Sequence, residues 1–122
     1  MAKNILLVED DSFIVDIYST YFKREGYNVS IAGDGDMALE KIKNHQPDLL
    51  VLDIGLPKKD GWEVLRILRN DPVTKDLKVV VISNNSRQEC EENIERFGVI
   101  KYFLKVQTAP EEIMSVVKEI LK

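Results

Sequence analysis

Asp48-Leu49-Leu50-Val51-Leu52-Asp53-Ile54-Gly55-Leu56-Pro57 holds four apolar residues that end on an acid and are followed by Gly and Pro. A run of that length and Leu/Val content reads as a strand buried on both faces, and the Gly/Pro pair stops it. Asp53 then stands where a buried strand meets the surface. The pattern recurs: Ile5-Leu6-Leu7-Val8 runs into Glu9-Asp10-Asp11, Val79-Val80-Val81-Ile82 into Ser83, and Tyr102-Phe103-Leu104 into Lys105. If these strands lie parallel in one sheet, several carboxylates, a hydroxyl and an ammonium converge at its carboxyl edge, where open α/β sheets bind ligands.

Helix-like stretches fill the gaps between the strands. From Ser12, the residues Ile14, Ile17, Tyr18, Tyr21 and Phe22 recur at the spacing of one apolar helix face, which Gly26 ends. A short strand follows over 27–32. Asp34-Gly35 opens a second helix through Ala38, Leu39 and Ile42, which stops before Pro47. Asp60-Gly61 opens a third with Val64, Leu65 and Leu68 inward, closed by Asn70-Asp71-Pro72. After a strand over 78–82, Ser86-Arg87-Gln88-Glu89 has the spacing of a capping box. The helix it opens has a thin apolar face of Cys90, Ile94 and Phe97 among Glu89, Glu91, Glu92 and Glu95, and ends at Gly98. So little burial predicts the most mobile helix of the chain. A strand over 99–104 and a last helix follow, the latter opened by a second capping box, Thr108-Ala109-Pro110-Glu111, with Ile113, Val116, Val117, Ile120 and Leu121 on one face.

Alternating strands and helices with right-handed crossovers permit few arrangements. The reading is an α/β, doubly wound, flavodoxin-like domain spanning 1–122, with five parallel strands in the order 2-1-3-4-5 and five helices. Asp10 and Asp53 then end adjacent strands roughly 5 Å apart. Ser83 lies one strand away, and Lys105 ends the next.

The bulk properties fit one ordinary domain of 122 residues, 44% apolar and 31% charged. No apolar run is long enough to span a bilayer, no leader-like segment precedes the first strand, and Cys90 is the single cysteine. Together these favour a reducing cytoplasm. A net charge of −4 without a basic, aromatic-interleaved helix argues against direct nucleic-acid binding.

Glu9, Asp10 and Asp53 repel one another, each pair by about 3 kcal/mol at roughly 5 Å and an effective dielectric near 20. Hard oxygen donors with no His or Cys beside them suit Mg²⁺. An Asp carboxylate can act as a nucleophile toward phosphorus, with a metal and an ammonium holding the phosphoryl oxygens. Ser83 would then hydrogen-bond the new phosphoryl oxygen and draw the thinly packed fourth helix with it.

In these residues, Val8-Glu9-Asp10, Asp53-Ile54-Gly55-Leu56-Pro57, Ser83 after a Val/Ile run, and Lys105 closing Tyr102-Phe103-Leu104, the whole chain resembles the receiver domain of two-component response regulators of the single-domain, chemotaxis-regulator type. The resemblance implies that Asp53 accepts phosphate from a histidine kinase or histidine phosphotransfer protein. It implies Mg²⁺ held by Asp10, Asp53 and the Gly55 backbone carbonyl, with Glu9 acting through water, and Lys105 on the phosphoryl group. Ser83 and Tyr102 would carry the switch to the face of helix 4, strand 5 and helix 5. That face would bind a downstream protein target or form a weak dimer of an otherwise monomeric chain.

Three features depart from the family pattern. Val106 follows Lys105 where Pro is usual, in a loop one residue longer, which leaves open whether the intervening bond is cis. Asn84 replaces a small residue, and Gly55 with Asn85 fills the two variable positions that tune loss of the phosphate. The competing functions are a small Mg²⁺-dependent phosphatase with an Asp nucleophile, a flavin carrier of the same strand order, and a receiver-like scaffold that is never phosphorylated. Glu9-Asp10-Asp11 would repel a flavin phosphate. Plainer readings attach to Asp11 as a helix start, His45 as a surface residue at the opposite end of the sheet, Trp62 as helix packing and Cys90 as a small hydrophobe.

Overall fold

The computed structural model describes residues 2–122. Its strands are β1 (Asn4–Val8), β2 (Asn28–Ala32), β3 (Leu49–Asp53), β4 (Val79–Ser83) and β5 (Lys101–Leu104). Its helices are α1 (Ser12–Arg24), α2 (Gly35–Asn44), α3 (Gly61–Arg69), α4 (Arg87–Arg96) and α5 (Pro110–Ile120). The strands form one parallel sheet in the order β2-β1-β3-β4-β5.

Every residue of β3 and β4 is buried, as continuous apolar runs demand of strands covered on both faces. The side-chain alternation divides the core in two. Leu6, Val8, Leu50, Leu52, Val79 and Val81 face α2, α3 and α4, whereas Ile5, Leu7, Val51, Val80, Ile82 and Phe103 face α1 and α5.

Four helices begin at the carboxyl edge with a side-chain oxygen on a first-turn amide. Asp11 accepts from Phe13 N–H at 2.9 Å, Asp34 from Met37 at 2.8 Å, Asp60 from Glu63 at 2.9 Å and Ser86 from Glu89 at 3.3 Å. Each such cap contributes about 1 kcal/mol and fixes where the chain turns back from the sheet.

The boundaries differ from the sequence reading in four places. Tyr27 lies outside β2, because its N–H donates to Phe22 at the end of the α1 turn. The strand expected over 78–82 is shifted one residue onward, so that Ser83 is its last member. The strand expected from 99 starts at Lys101, since the Val99 amide is spent on Ile94 in closing α4. The capping box on Thr108 does not form: α5 starts one residue later, with Ala109 as its cap and the Glu112 carboxylate accepting from the Ala109 amide at 3.4 Å. Glu111 instead accepts from the Tyr21 hydroxyl at 2.6 Å, tying α5 to α1. Lys105–Gln107 forms a short 3₁₀ turn that the sequence did not reveal, and the Lys105–Val106 bond is trans.

The C-terminal end of α4 is fastened to α3. Arg69 donates from Nε to the Phe97 carbonyl at 2.8 Å and from Nη1 to Lys75 and Leu77 at 2.9 and 2.8 Å, while the Trp62 and Phe97 rings stack 6.2 Å apart. Trp62 is thus helix packing, as its position suggested.

Candidate functional site

Parallel register decides which residues meet at the carboxyl edge. Val8 pairs with Leu52, so one residue further Glu9 stands level with Asp53; Asp53 pairs with Ile82, and Ser83 with Leu104. The ends of β1, β3, β4 and β5 therefore deliver Glu9, Asp53, Ser83 and Lys105 to one rim. This is the point where the strand order reverses between β1 and β3, the usual binding crevice of a doubly wound sheet.

Carboxylate oxygens of Glu9, Asp10 and Asp53 lie within 4.8 Å of one another. Glu9 and Asp53 are buried and Asp10 is exposed, so the cluster has a closed floor and an open mouth. Lys105 crosses back from β5, its Nζ 2.6 Å from Glu9 Oε1 and 3.2 Å from Asp53 Oδ2. The second Asp53 oxygen accepts from the Gly55 N–H at 3.2 Å. A cavity of about 420 Å³ opens above them, bordered by Asp10, Asp53, Gly55, Ser83, Asn85 and Lys105.

The charges do not balance without a further cation. With all three carboxylates ionised against one ammonium, two negative charges are left over, the complement of one divalent ion; without that ion a proton on Glu9 offsets one of them. Burial pushes the Glu9 carboxyl up to about 8, and the neighbouring Asp53 pushes the same way against the pull of Lys105. Burial alone would lower the Lys105 ammonium, but Glu9 and Asp53 outweigh it and hold it above its ordinary value. For Glu9 the surplus negative charge adds to the larger effect of burial in favouring the protonated carboxyl, and the same surplus keeps the Lys105 ammonium charged against burial. Hard oxygen donors of net charge −2 fit Mg²⁺.

Ser83 begins a chain of hydrogen bonds that leads away from the rim. Its Oγ accepts from the Asn85 N–H at 3.0 Å, and the Asn85 carbonyl accepts from the Tyr102 hydroxyl at 2.5 Å. That hydroxyl also lies 3.3 Å from Cys90 Sγ on α4. Tyr102 is buried rather than a wet rim residue, and burial together with the Cys90 contact pushes its phenol up to about 12.

The structure thus assembles Glu9, Asp10, Asp53, Gly55, Ser83 and Lys105 at one edge and places Tyr102 one relay away. Asp11 caps α1, and His45 caps the far end of α2, away from the site. Cys90 is buried as a small hydrophobe would be, but its contact with Tyr102 was not foreseen. Nor was the backbone of Asn85 as the link between Ser83 and Tyr102, since main-chain hydrogen bonds leave no mark on residue type.

A flavodoxin-like sheet with an acidic crevice, a lysine reaching into it and a hydroxyl at its lip defines a doubly wound α/β domain with a charged ligand crevice at its carboxyl edge. The model of the response regulator receiver domain matches residues 5–118, and the chain belongs to that family, the signalling switches of two-component systems. The chain is 28% identical over 116 residues to the polar-differentiation response regulator DivK of Brucella anthropi, covering 95% of this chain and 94% of DivK. It is 48% identical over 69 residues to the alkaline phosphatase synthesis transcriptional regulatory protein PhoP of Bacillus subtilis, covering 57% of this chain and only 29% of PhoP. The structure of the phosphorylated cyanobacterial phytochrome response regulator RcpA superposes with a TM-score of 0.83 at 29% identity, covering 98% of this chain and 91% of that one.

Proposed function

We propose that residues 1–122 act as one phosphorylation-dependent switch in which Asp53 accepts a phosphoryl group from a histidine kinase or histidine phosphotransfer protein. The observation that carries this reading is the Lys105 ammonium spanning Glu9 and Asp53 at the floor of the acidic crevice. RcpA, of the same fold, is described in its phosphorylated form. An Asp53 oxygen forms the new bond to phosphorus as the bond to the donor imidazole breaks, and the imidazole leaves with its own electron pair. Lys105 lies 3.2 Å from Asp53 Oδ2 and supplies charge to the phosphoryl oxygens.

Glu9, Asp10, Asp53 and the Gly55 carbonyl are the groups that would hold Mg²⁺. The ion supplies charge neutralisation for the incoming phosphoryl group. Ser83 turns its hydroxyl toward the phosphoryl oxygen and gives up the Asn85 amide, which releases the Asn85–Tyr102 relay and alters the face of α4, β5 and α5. That face then recruits a downstream protein, with the chain a cytoplasmic monomer or weak dimer. The domain assists its own phosphorylation and slow dephosphorylation without turning over a separate substrate.

Intact mass after incubation with acetyl phosphate and Mg²⁺ tests the proposal. The parent gains a single labile phosphoryl group, and Asp53→Asn gains none. Equal gains in both place the acceptor elsewhere, and rapid release of many phosphate equivalents makes the protein a phosphatase.

A further inference from the structure

The loop between β3 and α3, residues 54–60, carries Gly55, and α2 presses on it from the side. Gly35, the first residue of α2, touches this loop so closely that a Cβ there would collide with the Lys59 carbonyl oxygen and fall 2.7 Å from Lys59 Cβ. On either side of Gly35 an acid takes a loop lysine: Lys58 Nζ lies 3.6 Å from Asp34 and Lys59 Nζ 3.0 Å from Asp36. Lys58 stands at φ 66°, a left-handed conformation that a lysine adopts only under constraint. At the loop's other end, the Gly61 N–H donates to the Ile54 carbonyl at 2.9 Å, and a Cβ on Gly61 would fall 2.8 Å from the Asp53 carbonyl oxygen.

We infer that the first turn of α2 is a positioning element for the phosphoacceptor loop: Gly35 admits Lys59 to backbone contact, Asp34 and Asp36 hold the two lysines, and together they fix the Gly55 backbone relative to Asp53. The inference rests on the reading of Asp53 given above. Gly35 itself is not in a left-handed conformation, and alanine is the better helix former, so the helix gives no reason for glycine here. The approach of the loop does. Lys58 is exposed and Lys59 half-buried, and such ion pairs near the surface add little to global stability, so their effect is local.

Two variants of the whole chain test this, each read by amide spectra of the metal-free protein and by calorimetric titration with magnesium chloride. Gly35→Ala shifts the amide signals of residues 53–56 and 58–60, Gly55 foremost, leaves those of β1 and β5 in place, and weakens Mg²⁺ binding about tenfold, the scale of losing a group that orients a metal ligand. Lys58→Ala combined with Lys59→Ala separates geometry from charge. Removing two positive charges near a cation site would tighten Mg²⁺ binding by electrostatics alone, whereas loss of the clamp weakens it. An unmoved Gly55 signal in Gly35→Ala, or equal or tighter Mg²⁺ binding in the double variant, overturns the inference. If Gly35→Ala does not fold, the double variant decides. Failure of the parent to bind Mg²⁺ would instead count against the reading of Asp53, with the metal-free Gly55 signal still testing the clamp.

Discussion

Helices α3 and α4 lie on the same face of the sheet and are nine and ten residues long, yet they are held there in different ways. α3 buries Gly61, Val64, Leu65 and Leu68 along one stripe, so it is fixed along its length by apolar contact. α4 buries only Cys90 and Ile94, and its remaining attachments are at its ends. One end is pinned by Arg69 and the Trp62–Phe97 stack, and the other is tied through Asn85 to Ser83 and Tyr102. A helix fixed along its length can only pack or unfold. A helix fixed at one end and hydrogen-bonded at the other can swing when that second bond is exchanged.

The contrast breaks most directly in the core. Leu65→Ala costs about 2–5 kcal/mol of global stability in urea unfolding, because the rigid surroundings of α3 cannot close the cavity. Ile94→Ala falls at the low end of that range and shows itself chiefly as faster amide exchange confined to α4, since a thinly held helix can settle into the space. Equal global losses for the two would erase the distinction. Next in size, Arg69→Ala strips donors from carbonyls of Phe97, Lys75 and Leu77 and costs about 1–3 kcal/mol, with exchange rising first at the C-terminal end of α4. Uniform protection along α4 in that variant would show that the pin is not where the helix is held. The smallest effect belongs to Tyr102→Phe, about 1 kcal/mol, which frees the Asn85 carbonyl and speeds exchange around Ser86 at the N-terminal end. Unchanged exchange there would remove Tyr102 from the relay.

Apolar runs that end on charged or hydroxyl residues made the central strands and their meeting point readable, because burial on both faces leaves a continuous signature in residue type. The strand order placed Asp10, Asp53, Ser83 and Lys105 at one rim without coordinates, whereas the observed register sets Glu9 rather than Asp10 level with Asp53. Helix starts at Asp34, Asp60 and Ser86 were equally plain, whereas Thr108 misled. Thr108 and Ala109 are neighbours, Pro110 suits the first helical position behind Ala109, and an acid stands three residues beyond either candidate cap. The features that stayed hidden are those made by the backbone or by close approach. The Asn85 relay, the 3₁₀ turn after Lys105 and the contact of Gly35 with Lys59 depend on where main-chain atoms meet, and many residue types could stand at most of those positions.

One such backbone feature bears on how the protein could be retuned. Asn85 joins Ser83 to Tyr102 through its own amide and carbonyl, while the residue also borders the cavity above Asp53. The link between Ser83 and Tyr102 therefore rests on main-chain atoms of a residue that also borders the cavity. Nearly any replacement at this position keeps the amide and carbonyl that join Ser83 to Tyr102 while changing the residue that borders the cavity. Proline, which has no amide hydrogen to offer Ser83, is the one substitution that must sever the two.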